Sequence, residues 1–324
     1  FHLLPYRPQR NRPQARPPLT SERFLGAVLV ALAASIWGTL GLVARVAYDE
    51  GVSFEALVLT RAGGAFLVVL GFVLVTGRVS NLRVRGHDLI SLVPLGVVSI
   101  GCFYLLYFYT IQESEVGTAA VLLYSSPAFV VVLARIFLKE SLSLLRISAL
   151  FLTASGITLV VGAYDPSSFD VRPFVVVTGL GAGLSYGLYS VIGKPLTGRL
   201  PAHVIIFYML GIGAAILFVA ALPTLHTLGG LSFGTYVLLV ASALILTAFA
   251  YALYTAGLKR IEAGQAAIIA TVEPVVAGLA GAMFLAEDLT ALKILGALLV
   301  ISGARLALLR LRKARSGDEG ARPR

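Results

Sequence analysis

Glu273 offers the most chemistry of any side chain, because it lies about 11 residues inside either end of an apolar run, 263–286, long enough to cross a membrane. At 1.5 Å per residue it is roughly 16 Å from each surface, a depth at which a charged side chain costs about 2.5–3.5 kcal/mol on insertion scales. A carboxylate there must face a partner or a water-filled cavity. Pro274 beside it removes one helix hydrogen bond and leaves backbone carbonyls open to a ligand. Arg61 lies about seven residues inside one end of the run 54–76, too deep to be free of cost and shallow enough to snorkel. Two roles are open to it: bidentate capture of a substrate carboxylate, or a lock between its helix and a neighbouring carbonyl or carboxylate.

Aromatic residues recur at i, i+3, a spacing that puts both rings on one helix face: Tyr104 with Tyr107, Tyr186 with Tyr189, and Tyr251 with Tyr254. Trp37 and Tyr124 also fall near the middle of apolar runs. Facing a cavity, such rings would stack on an aromatic or amphipathic ligand. Tyr107 and Tyr254 lie within four residues of a run end, where an interfacial aromatic belt is the expected role. The candidate substrate-binding residues are therefore Trp37, Arg61, Tyr104, Tyr124, Ser125, Ser126, Tyr186, Tyr189, Tyr251 and Glu273. Gly179, Gly183 and Gly187 form a stripe that lets another helix approach closely, within the chain or in a homodimer. Glu140 and Glu287 fall at helix ends and read as structural groups that hydrogen-bond backbone or basic partners.

Other chemistries lack their residues. No G-xxxx-G-K phosphate loop supports ATP drive, and no H-E-xx-H or Cys-xx-Cys pattern supports a metal. His2, His87, His203 and His226 fall in a tail, in loops or at run ends, and Cys102 is the single cysteine, so no metal or cofactor is expected. Ser125, Ser126 and Glu273 do not make a recognisable nucleophile and base. An enzyme is not expected, and no catalytic residue is assigned.

The elements that must position these residues are membrane helices. The 324 residues are 58% hydrophobic and 13% charged, with a mean hydropathy of +0.90, more apolar surface than one soluble core could hide. Apolar runs of about 20 residues occur ten times, at 24–47, 54–76, 88–111, 116–138, 143–163, 173–194, 202–221, 232–257, 263–286 and 289–309. The runs are continuously apolar, which excludes the alternation of a transmembrane barrel. Residues 1–23 interleave five arginines with five prolines, a composition that holds no helix and builds no core. The first run is too long for a signal-peptide core. The net charge of +10 is an orientation signal rather than a nucleic-acid patch: with the N-terminus cytoplasmic, about 20 Lys and Arg fall on inner segments and one, Arg172, falls clearly outside. Both termini, 1–23 and 310–324, are expected in the cytoplasm.

The chain is also a duplication. Glu115 to Leu159 returns about 147 residues later as Glu262 to Leu306, with Gly117, Pro127, Phe137, Glu140, Leu145 and Gly156 falling on Gly264, Pro274, Phe284, Glu287, Leu292 and Gly303. Trp37-Gly38 falls more loosely on Tyr186-Gly187. Five runs per copy force the copies, 24–163 and 173–309, to enter the membrane in opposite directions. The fold expected is an all-α integral membrane protein of ten transmembrane helices arranged as two inverted five-helix repeats. Repeats of this kind place a binding site near the bilayer midplane where the halves meet.

The 5+5 plan, Trp37-Gly38, Arg61, the proline-centred fourth and ninth runs, and the closings Leu138-Lys139-Glu140 and Leu285-Ala286-Glu287 resemble the EamA-like branch of the drug/metabolite transporter superfamily over residues 24–310. That resemblance implies a bacterial inner-membrane protein that uses no ATP and exports amino acids or similar small metabolites. The expected partners are the lipid bilayer and a small-molecule substrate, with a proton exchanged through Glu273 as a further candidate and no nucleic acid. The alternative is a membrane-embedded enzyme or a channel on the same scaffold.

Overall fold

A computed structural model describes residues 21–114, 116–164, 172–286 and 288–309, and every element in them is helical. Nine helical stretches are long and apolar enough to cross a membrane: Ser21–Asp49, Phe54–Val75, Gly86–Glu113, Gly117–Phe137, Pro173–Leu196, Ala202–Leu228, Phe233–Arg260, Ala263–Leu285 and Ala291–Leu308. With the shorter apolar helix Leu144–Val160 they make ten, numbered here spans 1 to 10 in chain order. The basic tails and Glu287 lie outside the described residues.

Local signals set where the spans begin and stop. Ser53, Ser143, Ser232 and Thr290 cap spans 2, 5, 8 and 10, each side-chain oxygen accepting a backbone N–H three residues on, which satisfies a donor the helix cannot. The duplication is visible in the backbone itself. Lys139 and Ala286, 147 residues apart, both turn left-handed at φ 56° to end spans 4 and 9.

Three spans are broken near their middles. Span 1 divides at Thr39, span 4 after Leu123 and span 9 at Thr271. Pro127 and Pro274 sit just beyond the latter two breaks, in the first turn of helices Ser126–Phe137 and Val272–Leu285, where a missing N–H costs nothing. The prolines thus follow the breaks. Spans 3 and 8 instead widen into π-helix at Val97–Cys102 and Ser242–Phe249, a feature the apolar pattern did not foretell.

The halves interlock. A Cβ on Gly26 of span 1 would stand 3.2 Å from the carbonyl oxygen of Gly257 in span 8, and one on Gly38 would stand 2.7 Å from that of Glu273 in span 9. Span 6 repeats this against the first half, with Gly183 and Gly187 packed on Leu122, Ser126 and Val130 of span 4, so the glycine stripe serves packing within the chain. Spans 5 and 10 cross with pseudo-twofold symmetry. Gly156 abuts Gly296 and Val300, and its equivalent Gly303 abuts Ala149 and Thr153, the equivalents of those same two residues.

Polar contacts gather at two opposite faces. At the face of the first residue of span 1, Arg146 pairs with Glu140 at 3.4 Å and with Glu262, and Glu140 accepts from the N–H groups of Ala263 (2.6 Å) and Gly264 (3.1 Å). Lys194 Nζ donates there to the carbonyls of Leu258 and Ile261, both at 2.6 Å. At the other face Glu50 accepts from the Ser232 amide (2.9 Å) and hydroxyl (2.7 Å), and Arg172 bonds Glu113. The contacts to Glu262, Ala263, Gly264, Ser232 and Arg172 tie one repeat to the other, whereas the Lys194 contacts lie within the second.

Candidate functional site

The breaks in spans 1, 4 and 9 bring mid-span side chains together. Trp37 lies in the last turn of the first segment of span 1, Ser21–Gly38, and its ring centroid lies 5.2 Å from Tyr251, 5.4 Å from Tyr254 and 6.3 Å from Tyr186. Tyr189 closes the cluster at 5.4 Å from both Tyr251 and Tyr254. Two of the phenols are satisfied locally: Tyr189 shares a hydrogen bond with Thr255 at 2.5 Å and Tyr254 one with Ser190 at 2.7 Å.

A cavity lies among these rings. Its wall includes Trp37 from span 1, Ser99 from span 3, Tyr124 and Ser126 from span 4, Tyr186 from span 6 and Tyr251 from span 8, and Thr271 of span 9 completes it. Each repeat supplies three of the six spans. The cavity left among the rings is only about 20 Å³, room for roughly one water molecule. A metabolite would therefore enter only as the spans move apart.

Glu273 stands at the edge of this cavity in the first turn of helix Val272–Leu285, where the helix N-terminus favours negative charge. The Tyr186 hydroxyl donates to it at 3.1 Å, and Tyr124 lies in the adjoining cavity wall. The equivalent position in the first repeat is Ser126, whose hydroxyl carries no charge. The site is electrically one-sided despite the symmetry of its frame.

Arg61 is buried at 8% exposure with its Cζ 5.6 Å from the centre of the Tyr104 ring. Its Nε has no hydrogen-bond partner. Tyr104 in turn packs on Phe103 at 4.8 Å, and Phe103 on Tyr186 at 5.3 Å, so Arg61 sits behind the ring cluster rather than on the cavity wall. The lock to a neighbouring carboxylate is not formed among the described residues.

Of the residues singled out from sequence, Trp37, Tyr124, Ser126, Tyr186, Tyr189 and Tyr251 line the cavity. Ser125 does not: its hydroxyl turns back to the Leu122 carbonyl at 2.6 Å in the break of span 4. Tyr254 is a correction. Expected in an interfacial belt, it is 4% exposed and lines the cavity, because span 8 runs on to Arg260 and leaves Tyr254 well inside its end. Ser99 was not foreseen either; it is 2% exposed, its hydroxyl has no partner, and it lies in the π-helical turn of span 3. Such turns inside α-helices recur at functional sites, though nothing in an apolar run announces one.

Comparison with known proteins fits this architecture. The profile of the EamA-like transporter family matches twice, over residues 24–162 and again over 173–309. An uncharacterized transporter of Archaeoglobus fulgidus is 28% identical over 87% of this chain and 96% of its own length. The uncharacterized inner membrane transporter YicL of Salmonella typhimurium is 24% identical over 89% and 96%. The pseudopaline exporter CntI of Pseudomonas aeruginosa is 26% identical over 59% of this chain and 64% of its own. A crystal structure with 20% identity, covering 87% of this chain and 96% of that one, has the same fold with a TM-score of 0.69.

Proposed function

The chain belongs to the EamA-like transporter family and is a membrane transporter, and from that premise we propose that it is a secondary carrier of small organic metabolites working by alternating access. The observation that carries this reading is the cavity at the breaks of spans 4 and 9, walled by three spans of each repeat. A site at such a junction changes its accessible side when the two repeats rock against each other. The moving units are the repeats 24–163 and 173–309, and the basic tails 1–23 and 310–324 lie in the cytoplasm.

The substrate is an amino acid or a related metabolite, and the direction is export across a bacterial inner membrane. Support for export comes from the likeness to a relative described as a pseudopaline exporter, and for the inner membrane from YicL. Glu273 suits proton exchange: a single carboxyl, held by the Tyr186 phenol at the cavity edge, can accept a proton in one state and release it in another. No ATP is consumed.

Liposomes holding the purified chain test the class. A carrier takes up labelled substrate saturably and faster when unlabelled substrate is trapped inside. Flux that counter-substrate does not accelerate would favour a channel, and recovery of an altered compound would favour a membrane-embedded enzyme.

A further inference from the structure

We propose that Arg61, behind the rings of the closed cavity, becomes the anion-binding residue of this site when the spans move apart and takes a single carboxylate of the transported compound, an assignment that rests on the transporter reading above. A guanidinium offers five N–H donors. Here the group is 8% exposed, Nε lacks a partner, and no carboxylate pairs with it among the described residues. What faces it from the neighbouring spans is aromatic or already engaged: Tyr48, Tyr104 and Tyr251, and Glu273, which Tyr186 holds. Buried charges are ordinarily paired. The missing pair is the ligand.

Charge balance narrows the ligand. With Glu273 ionised, Arg61 and Glu273 together are neutral, so a dianion would leave a net negative charge in a low-dielectric site. A molecule with one carboxylate and one ammonium keeps the balance, its carboxylate on the planar fork of Arg61 and its ammonium toward Glu273. Its body then lies against Trp37 and the tyrosines. Monocarboxylates without an ammonium would enter when Glu273 holds a proton.

Trp37 is the only tryptophan in the chain and lies in the cavity wall, so its fluorescence reads binding directly. Full-length protein in nanodiscs is titrated with L-phenylalanine, L-phenylalaninamide and phenyl phosphate, chosen because the wall is aromatic. The acid should bind at least ten-fold more tightly than the amide to the wild type, with the phosphate weaker than the acid. Arg61→Gln should bring the acid-to-amide ratio close to one, and Arg61→Lys should leave part of it, since the charge stays and the fork is lost. Should Arg61→Gln not fold, the wild-type ratio and Arg61→Lys still decide. The assignment is overturned by a wild type that binds acid and amide alike or binds no acid at millimolar concentration, by an undiminished ratio in either variant, or by tighter binding of phenyl phosphate. Loss of the ratio in a protein without counterflow would leave Arg61 as assigned and sink the carrier reading instead.

Discussion

Glu273 and Arg61 share one electrostatic neighbourhood without sharing a bond, and that decides what removing the charge should do. Glutamine at 273 can still accept from Tyr186, so Glu273→Gln should fold with a loss of no more than about 1 kcal/mol. It should also retain counterflow in liposomes, at weaker affinity for a substrate that carries an ammonium, while losing acceleration by a pH gradient. A variant that responds to the gradient like the parent would remove Glu273 from coupling, and one that does not fold would point to an ion pair formed in another state. Trp37 is different, because its ring touches three others and is 6% exposed. Trp37→Ala should lower stability by about 3–5 kcal/mol through the cavity it leaves, measured as a fall in unfolding temperature, whereas Trp37→Phe should keep most of it. At this scale the sequence marked the rings well, since an i, i+3 aromatic pair in an apolar run has few other uses. It could not mark Ser99, because a hydroxyl in a helix usually bonds its own backbone, and an apolar run does not show that this one is left without a partner.

At the crossing of spans 5 and 10 the elements meet through backbone. On Gly156 a Cβ would stand 2.6 Å from the Gly296 carbonyl oxygen, and on Gly303 2.8 Å from that of Ala149, and backbone cannot yield as a side-chain tip can. Gly156→Ala and Gly303→Ala should each cost about 1–3 kcal/mol by overpacking, read as a lowered unfolding temperature, while Gly41→Ala, with nothing within 4 Å, should be neutral. The connector clasp at Glu50 adds a pH-dependent term. The Ser232 amide and then its hydroxyl hold the Glu50 carboxyl below the usual carboxylate value. A carboxyl whose folded pKa is depressed contributes stability above its unfolded value, about 4.3, and loses it as pH falls through the folded value. The difference in unfolding temperature between wild type and Glu50→Gln should therefore be present at pH 7, begin to shrink as pH falls through about 4.3, and vanish only below the lower folded value. Span starts were legible to within about three residues from the ends of the apolar runs. The breaks were not, because an apolar run records burial in lipid and not the hydrogen-bond pattern inside it; the prolines signalled weakened ladders but mark the segments that follow the breaks.

For the whole molecule, orientation is the open quantity that charge predicts. Asn81 and Gly198 are exposed at the face of the first span's start, and Tyr164 and His226 are exposed or partly so at the other. With Cys102 replaced by Ser, cysteines at 81 and 198 should react with an impermeant maleimide only in opened membranes, and cysteines at 164 and 226 in intact cells. Labelling of 81 from outside would invert the arrangement. The duplication and the all-helical class were readable from residues such as Pro127 and Pro274, Glu140 and Glu287, which recur in register. The interlock was not, because periodicity tells which face of a helix is buried and never which helix covers it.

That interlock sets a schedule for making the protein. Gly26 packs on Gly257, a residue synthesised about 230 positions later, so at about 5–20 residues per second span 1 waits on the order of 10–50 s in the membrane for the surface that will cover it. During that interval its small-residue face is bare to lipid or to the insertion machinery. A change confined to span 8, such as Gly257→Leu, should thus leave insertion of the first seven spans intact and still deliver a chain that quality control removes. Pulse-chase labelling would register it as normal synthesis followed by rapid decay.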